Sequence, residues 1–124
     1  MGLGDRPVVR LPGIEIGVIE EQKVLGYLLA ADHPEGASKA AFFEAHGFRP
    51  GDWKRLAEAL RDHARRNPVS EVSPSPYGTK HAVDGHLRCP DGRMLMVRAV
   101  WILDAGADFP RLVTAYPMDV WVMP

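Results

Sequence analysis

Cysteine is almost absent from this chain. The single Cys89 excludes an intrachain disulfide and any cysteine-based zinc cluster, and it fits a reducing, cytoplasmic compartment. Neither sign of charge is in excess: 15 Lys and Arg stand against 16 Asp and Glu, a net charge of −1 at pH 7. A protein held to nucleic acid by general phosphate attraction is usually basic, so any nucleic-acid role must rest on a local patch. No apolar run approaches the ~18 residues that suggest a membrane span. The first residues lack the basic-then-apolar pattern of a secretion signal. Also missing are the GxxxxGK[ST] and GxGxxG phosphate loops, a His-Glu-x-x-His motif, Cys/His ligand spacing and a GxSxG nucleophile elbow. No cofactor and no metal is therefore expected, and Cys89, placed just before Pro90, is a poor candidate for an activated thiolate.

What remains is an ordinary globular composition, 46% hydrophobic and 25% charged. A chain of 124 residues buries roughly two-thirds of its unfolded surface, so one domain over 1–124 is expected. Residues 1–19 read as an extended arm or short strand, in which Ile14, Ile16 and Val18 alternate with Glu15 and Gly17. Residues 20–66 read as helical. Val24, Leu25, Leu28 and Leu29 share one face of a first helix, with Glu20 and Glu21 in its first turn. Ser38 can cap a second helix that buries Phe42, Phe43 and Ala45 and stops at Gly47, with Phe48 packing back. A third helix follows a cap at Asp52. Its apolar stripe is Trp53, Leu56, Ala57, Leu60 and Ala64, and Asn67-Pro68 ends it.

From residue 69 to 123 the period is two. Val69–Ser73 reads as a short strand broken by Pro74 and Pro76. Thr79–Cys89 separates into one face with His81, Val83 and Leu87 and another with Lys80, Asp84 and His86. Pro90-Asp91-Gly92-Arg93 has hairpin chemistry. Met94–Leu103 is apolar on both faces except for Arg98, as in a central strand covered by helices, and Pro110–Tyr116 and Val120–Met123 complete a meander. The expected class is α+β: about three N-terminal helices packed on one face of an antiparallel sheet of three to five strands.

Chemistry-bearing residues gather in four places. His33 precedes Pro34 in a loop between helices, where its imidazole can transfer protons near neutral pH or simply contact neighbouring backbone. Ser38 and Lys39 begin a helix, where an anion is favoured, although capping by Ser38 and a solvated Lys39 explain the pair equally simply. His46 and His63 read as surface residues. In Tyr77-Gly78-Thr79-Lys80-His81 a tight corner precedes a cation and an imidazole on opposite faces. Lys80, His86 and Arg98 can cluster on the sheet, or form an ordinary polar face. Arg98, on its apolar strand, needs an anionic partner, either Asp84 or a ligand phosphate. Arg111, Thr114 and Tyr116 follow on the last clear strand, Thr114 and Tyr116 sharing a face with Leu112.

The run His33-Pro-Glu-Gly-Ala-Ser-Lys-Ala-Ala-Phe-Phe43, the corner Tyr77-Gly-Thr-Lys80 and the strand Pro110-Arg-Leu-Val-Thr-Ala-Tyr-Pro117 resemble an uncharacterised family of small bacterial domains. Helices followed by a meander ending in Thr-x-Tyr-Pro are also similar to the barnase-, EndoU-, colicin- and RelE-like ribonuclease toxins. That resemblance implies a metal-independent endoribonuclease of toxin type acting on RNA or tRNA. In it His33 would be general acid or base, Lys39 and Lys80 would stabilise phosphate charge, and Thr114 and Tyr116 would position the phosphate or share in proton transfer. Ser38, Tyr77, His86, Arg98 and Arg111 would then bind substrate. The competing reading is a non-catalytic binding module, either an immunity- or antitoxin-like partner or a small-ligand regulator, and net acidity favours it slightly.

Overall fold

The computed structural model describes residues 9–29 and 37–118, and the side chains of Ala37 and Ser38 fall outside that description. The loop with His33 and the strand expected at Val120–Met123 therefore lie outside the described residues. Helix α1, Glu21–Lys23, runs straight into a π-helical turn, Val24–Leu28. There Leu29 N–H reaches back five residues to the Val24 carbonyl at 2.7 Å. Val24, Leu28 and Leu29 are buried, as their spacing predicts. Helix α2 is Ala37–Ala45; Phe43 is buried and Phe42 half-buried, but Ala45 is exposed, a correction to its place on the buried side. The end of this helix is a Schellman motif. Gly47, at φ +102°, gives its N–H to Glu44 and Phe48 gives its N–H to Phe43, both at 3.1 Å. Phe48 then packs edge-on to Phe43, with centroids 6.0 Å apart.

Helix α3, Trp53–Arg66, carries the expected stripe: Leu56, Ala57, Leu60 and Ala64 are buried. Asp52 occupies its N-cap position but makes no side-chain capping bond, and a 3₁₀ turn at Pro50–Asp52 leads into the helix. No helix among the described residues is long and apolar enough to cross a membrane.

Four strands follow: β1 Val69–Ser75, β2 Gly78–Arg88, β3 Met94–Asp104 and β4 Arg111–Pro117. They form one antiparallel meander in the order β1-β2-β3-β4. Pro74 does not break β1. As an edge-strand residue opposite Thr79 it gives up a hydrogen bond the edge can spare. Ile14–Ile16 is a 3₁₀ turn and not a strand; among the described residues of this arm Val18 bridges Arg111 in parallel, and the Val9 carbonyl accepts from the Val69 N–H at 2.7 Å. A bulge in β4 takes Val113 out of register, so Leu112 opposes Trp101 in the core while Thr114 opposes Val100. Leu112 thus does not share the face of Thr114 and Tyr116, and the same bulge brings Arg111 onto their side.

The core lies between the helices and one sheet face. Val83, Leu87, Val97, Ala99, Trp101, Leu112 and Ala115 pack with Val24, Leu28, Phe43, Leu56 and Leu60. His63 belongs to this layer and is 0% exposed, a correction to its reading as a surface residue. Its Nε2–H donates to the carbonyls of Gly85 (3.1 Å) and Val97 (2.9 Å), tying α3 to two strands. No helix among the described residues packs on the other sheet face, and Met94 and Met96 are exposed there.

Candidate functional site

Strand alternation and register place Lys80, His86, Arg98, Arg111, Thr114 and Tyr116 together on that helix-free face. Its rows run across the sheet. Ser73, Lys80, Ile102 and Arg111 form one, Ala82, Val100 and Thr114 the next, then Asp84, Arg98 and Tyr116, then His86 and Met96. Successive rows lie roughly 7 Å apart and neighbours within a row roughly 5 Å. Lys80 and His86 are therefore about 20 Å apart along their strand and do not meet in one site. His81 points the other way. It is buried opposite Trp101, with its Nδ1 3.2 Å from the Thr79 carbonyl oxygen.

Arg98 is the centre of the face. Its Nε and one terminal nitrogen grip both oxygens of Asp84 at 2.8 and 2.9 Å, and the other donates to Glu71 at 3.1 Å. Of the two partners the strand pattern left open, the carboxylate is the one in place. The hydrogen bonds from Arg98 hold the Asp84 carboxyl below the usual carboxylate range, against the opposing effect of its burial. The same bonds push the guanidinium further above its already high range. Arg111 is likewise committed, gripping Asp104 through two bonds of 3.0 Å. Lys80 carries no carboxylate among the described residues. It and Arg98 line a shallow depression of about 110 Å³ with Glu71, Ser73, Ala82 and Val100. Beside Val100, the Thr114 hydroxyl oxygen is buried with no hydrogen-bond partner among the described residues.

The corner residues stand apart. Tyr77 is 75% exposed at the β1–β2 turn. Ser75 holds that turn, donating from Oγ to the Gly78 carbonyl at 2.8 Å and accepting from the N–H groups of Tyr77 and Gly78. Lys39 lies on α2 with its ammonium 5.1 Å from the Tyr27 ring centre, which also receives Lys23 at 5.5 Å. Sequence reading passed over Tyr27, although Lys23 and Tyr27 are four apart, the spacing of facing residues on a helix. It also passed over Glu71 as the second carboxylate on Arg98, because a cross-strand partner is visible only once register is known. No three His, Cys, Asp or Glu side chains among the described residues are placed to hold a metal ion. Around Arg98, already held by two carboxylates, the neighbouring rows bring the Lys80 ammonium, the Tyr116 phenol and the buried Thr114 hydroxyl.

The fold has a solved counterpart. A chain of a "Contact-dependent growth inhibition toxin - immunity protein complex from Klebsiella pneumoniae 342" superposes with a TM-score of 0.68 at 15% identity. The superposition covers 86% of this chain and 97% of that one. At this identity the likeness establishes a shared fold. No curated protein matches in sequence. A family model does, over residues 10–119, and the chain accordingly belongs to the family described as Domain of unknown function (DUF6883).

Proposed function

We propose that this chain is a toxin-type endoribonuclease that cleaves RNA by acid–base chemistry without a metal, with the scissile phosphate lying on the helix-free sheet face. The observation that carries the reading is the convergence of Lys80, Thr114 and Tyr116 with Arg98 on adjacent rows of one face. In the reaction a base removes the 2′-OH proton, the 2′-oxygen attacks phosphorus, and the P–O5′ bond breaks as an acid protonates the leaving oxygen. The products are a 2′,3′-cyclic phosphate and a 5′-hydroxyl. His33 is assigned as acid or base, and Lys80 answers charge on the crowded phosphorane; Lys39, on α2 with its ammonium over Tyr27, does not share that face. Thr114 and Tyr116 position the phosphate. Tyr77, Ser38, His86 and Arg111 contact flanking nucleotides, and Arg98 is held upright by Asp84 so that a phosphate can replace the exposed Glu71 on its free side.

The test is incubation of total RNA and tRNA with purified protein in EDTA, reading fragments that end in a cyclic phosphate. The reading expects such fragments from wild type and none from His33→Ala at unchanged melting temperature. The second reading, a binding module that is immunity-like or regulatory, draws on the pairing of Arg98 and Arg111 with carboxylates. It expects intact RNA at any protein concentration.

A further inference from the structure

Away from the sheet face, a groove of about 340 Å³ runs between α3 and the end of the β2–β3 hairpin. Arg55 and Arg65 line it from the helix and Arg88 from β2, with Phe48, Ala59 and Pro90 also forming its walls. Two carboxylates also face it, Glu58 and Asp62, but each is already answered from outside the groove. Arg61 holds Glu58 at 3.0 Å and Arg66 holds Asp62 at 3.2 Å. Arg65 comes no nearer to Asp62 than 4.0 Å. Arg55 and Arg88 have no hydrogen bond or ion pair among the described residues. The groove thus presents two guanidiniums with no ion pair among the described residues, Arg55 and Arg88, beside Arg65, which Asp62 meets at 4.0 Å, on a protein whose net charge is −1.

We infer that this groove docks an acidic, partly apolar segment of a partner protein. Guanidinium forks fit carboxylates two bonds at a time. Between the arginines, Ala59 and Pro90 form apolar wall, so an apolar side chain of the segment has a seat beside its carboxylates. RNA fits less well: its unpaired bases seek exposed aromatic faces, and the groove's own aromatic, Phe48, is 1% exposed. The inference does not rest on the ribonuclease reading, since none of Lys80, Arg98, Thr114 or Tyr116 lines the groove.

The test is fluorescence polarisation with a short fluorescein-labelled peptide of Glu-Glu-Leu repeats, a Gln-Gln-Leu counterpart and a labelled oligouridylate. Saturable binding of the acidic peptide is expected. It should weaken with added salt, fall roughly tenfold or more in Arg55→Gln/Arg88→Gln as two charge-assisted contacts are lost, and be unchanged in Lys80→Ala. If the double variant melts earlier than wild type, the exposed single change Arg55→Gln supplies the same comparison. Equal binding of the Gln-Gln-Leu peptide, or full binding by the arginine variants, overturns the inference. So does tighter binding of oligouridylate through the same arginines.

Discussion

At the scale of single residues, His63 and Arg98 show how charge is managed on the two sides of the sheet. His63 is buried among apolar groups, its Nε2–H shared by two carbonyls and its Nδ1 without a partner. Desolvation holds its pKa below the ordinary 6.5, outweighing the carbonyls and the carboxylates of Asp84 and Asp62 that pull it up. The folded protein therefore keeps the ring neutral while the unfolded chain takes up a proton. The stabilisation is complete above 6.5 and is lost as pH falls from 6.5 toward the depressed folded value. Urea midpoints are expected to fall on acidification through that window. In His63→Gln, which keeps a donor but cannot titrate, they should stay flat. His63→Ala is expected to cost roughly 2–4 kcal/mol, because it leaves a cavity and two unsatisfied carbonyls. Asp84 adds a second acid-sensitive contribution at lower pH. Its carboxyl is held below 3.8, so the ion pair with Arg98 is intact above that value and is lost as pH drops further. Asp84→Asn is expected to lower stability by about 1–2 kcal/mol at neutral pH, with a smaller loss in acid, both read from urea midpoints.

At the scale of elements, close approach between α3 and β2 depends on Gly85. A Cβ there would stand 2.1 Å from the Asn67 side chain, whose amide is already committed to the His63 carbonyl at 2.8 Å. Gly85→Ala should therefore cost about 1–3 kcal/mol. Asn67→Ala should recover part of it, a coupling that a double-mutant cycle in urea measures. The apolar stripe of helix α3 was legible in sequence, because it repeats over about three turns and local spacing determines which side packs. The end of α2 was legible for a similar reason: glycine and the following Phe48 are a local signature. Two things were not visible locally. The bulge at Val113 changes faces within β4, and alternation alone carried Leu112 to the side of Thr114. His63 falls one position before Ala64 on the packed side of α3, yet a polar side chain there reads as exposed until two carbonyls are brought to it from strands 22 and 34 residues away.

At the scale of the whole molecule, a near-neutral chain divides its surfaces: helices and core on one side of the sheet, polar strand residues on the other, and an arginine-lined groove at the hairpin end. The division of Lys80 and His86 from His81 followed from period two, so the face was legible. Which residues meet across it was not, since register is set by the turns and the bulge; this is why Glu71 joins Asp84 on Arg98 with no sign of it in the sequence. The central claim is that RNA cleavage belongs to the open face. The most direct measurement compares Lys80→Ala with its neighbour His81→Ala for the rate of tRNA cleavage in EDTA and for melting temperature. The account predicts that Lys80→Ala loses cleavage by roughly a hundredfold, the scale of one charge-stabilising group, with its melting temperature unchanged, while His81→Ala melts earlier. An inactive wild type, or a Lys80→Ala variant that cuts tRNA at the wild-type rate, would contradict it.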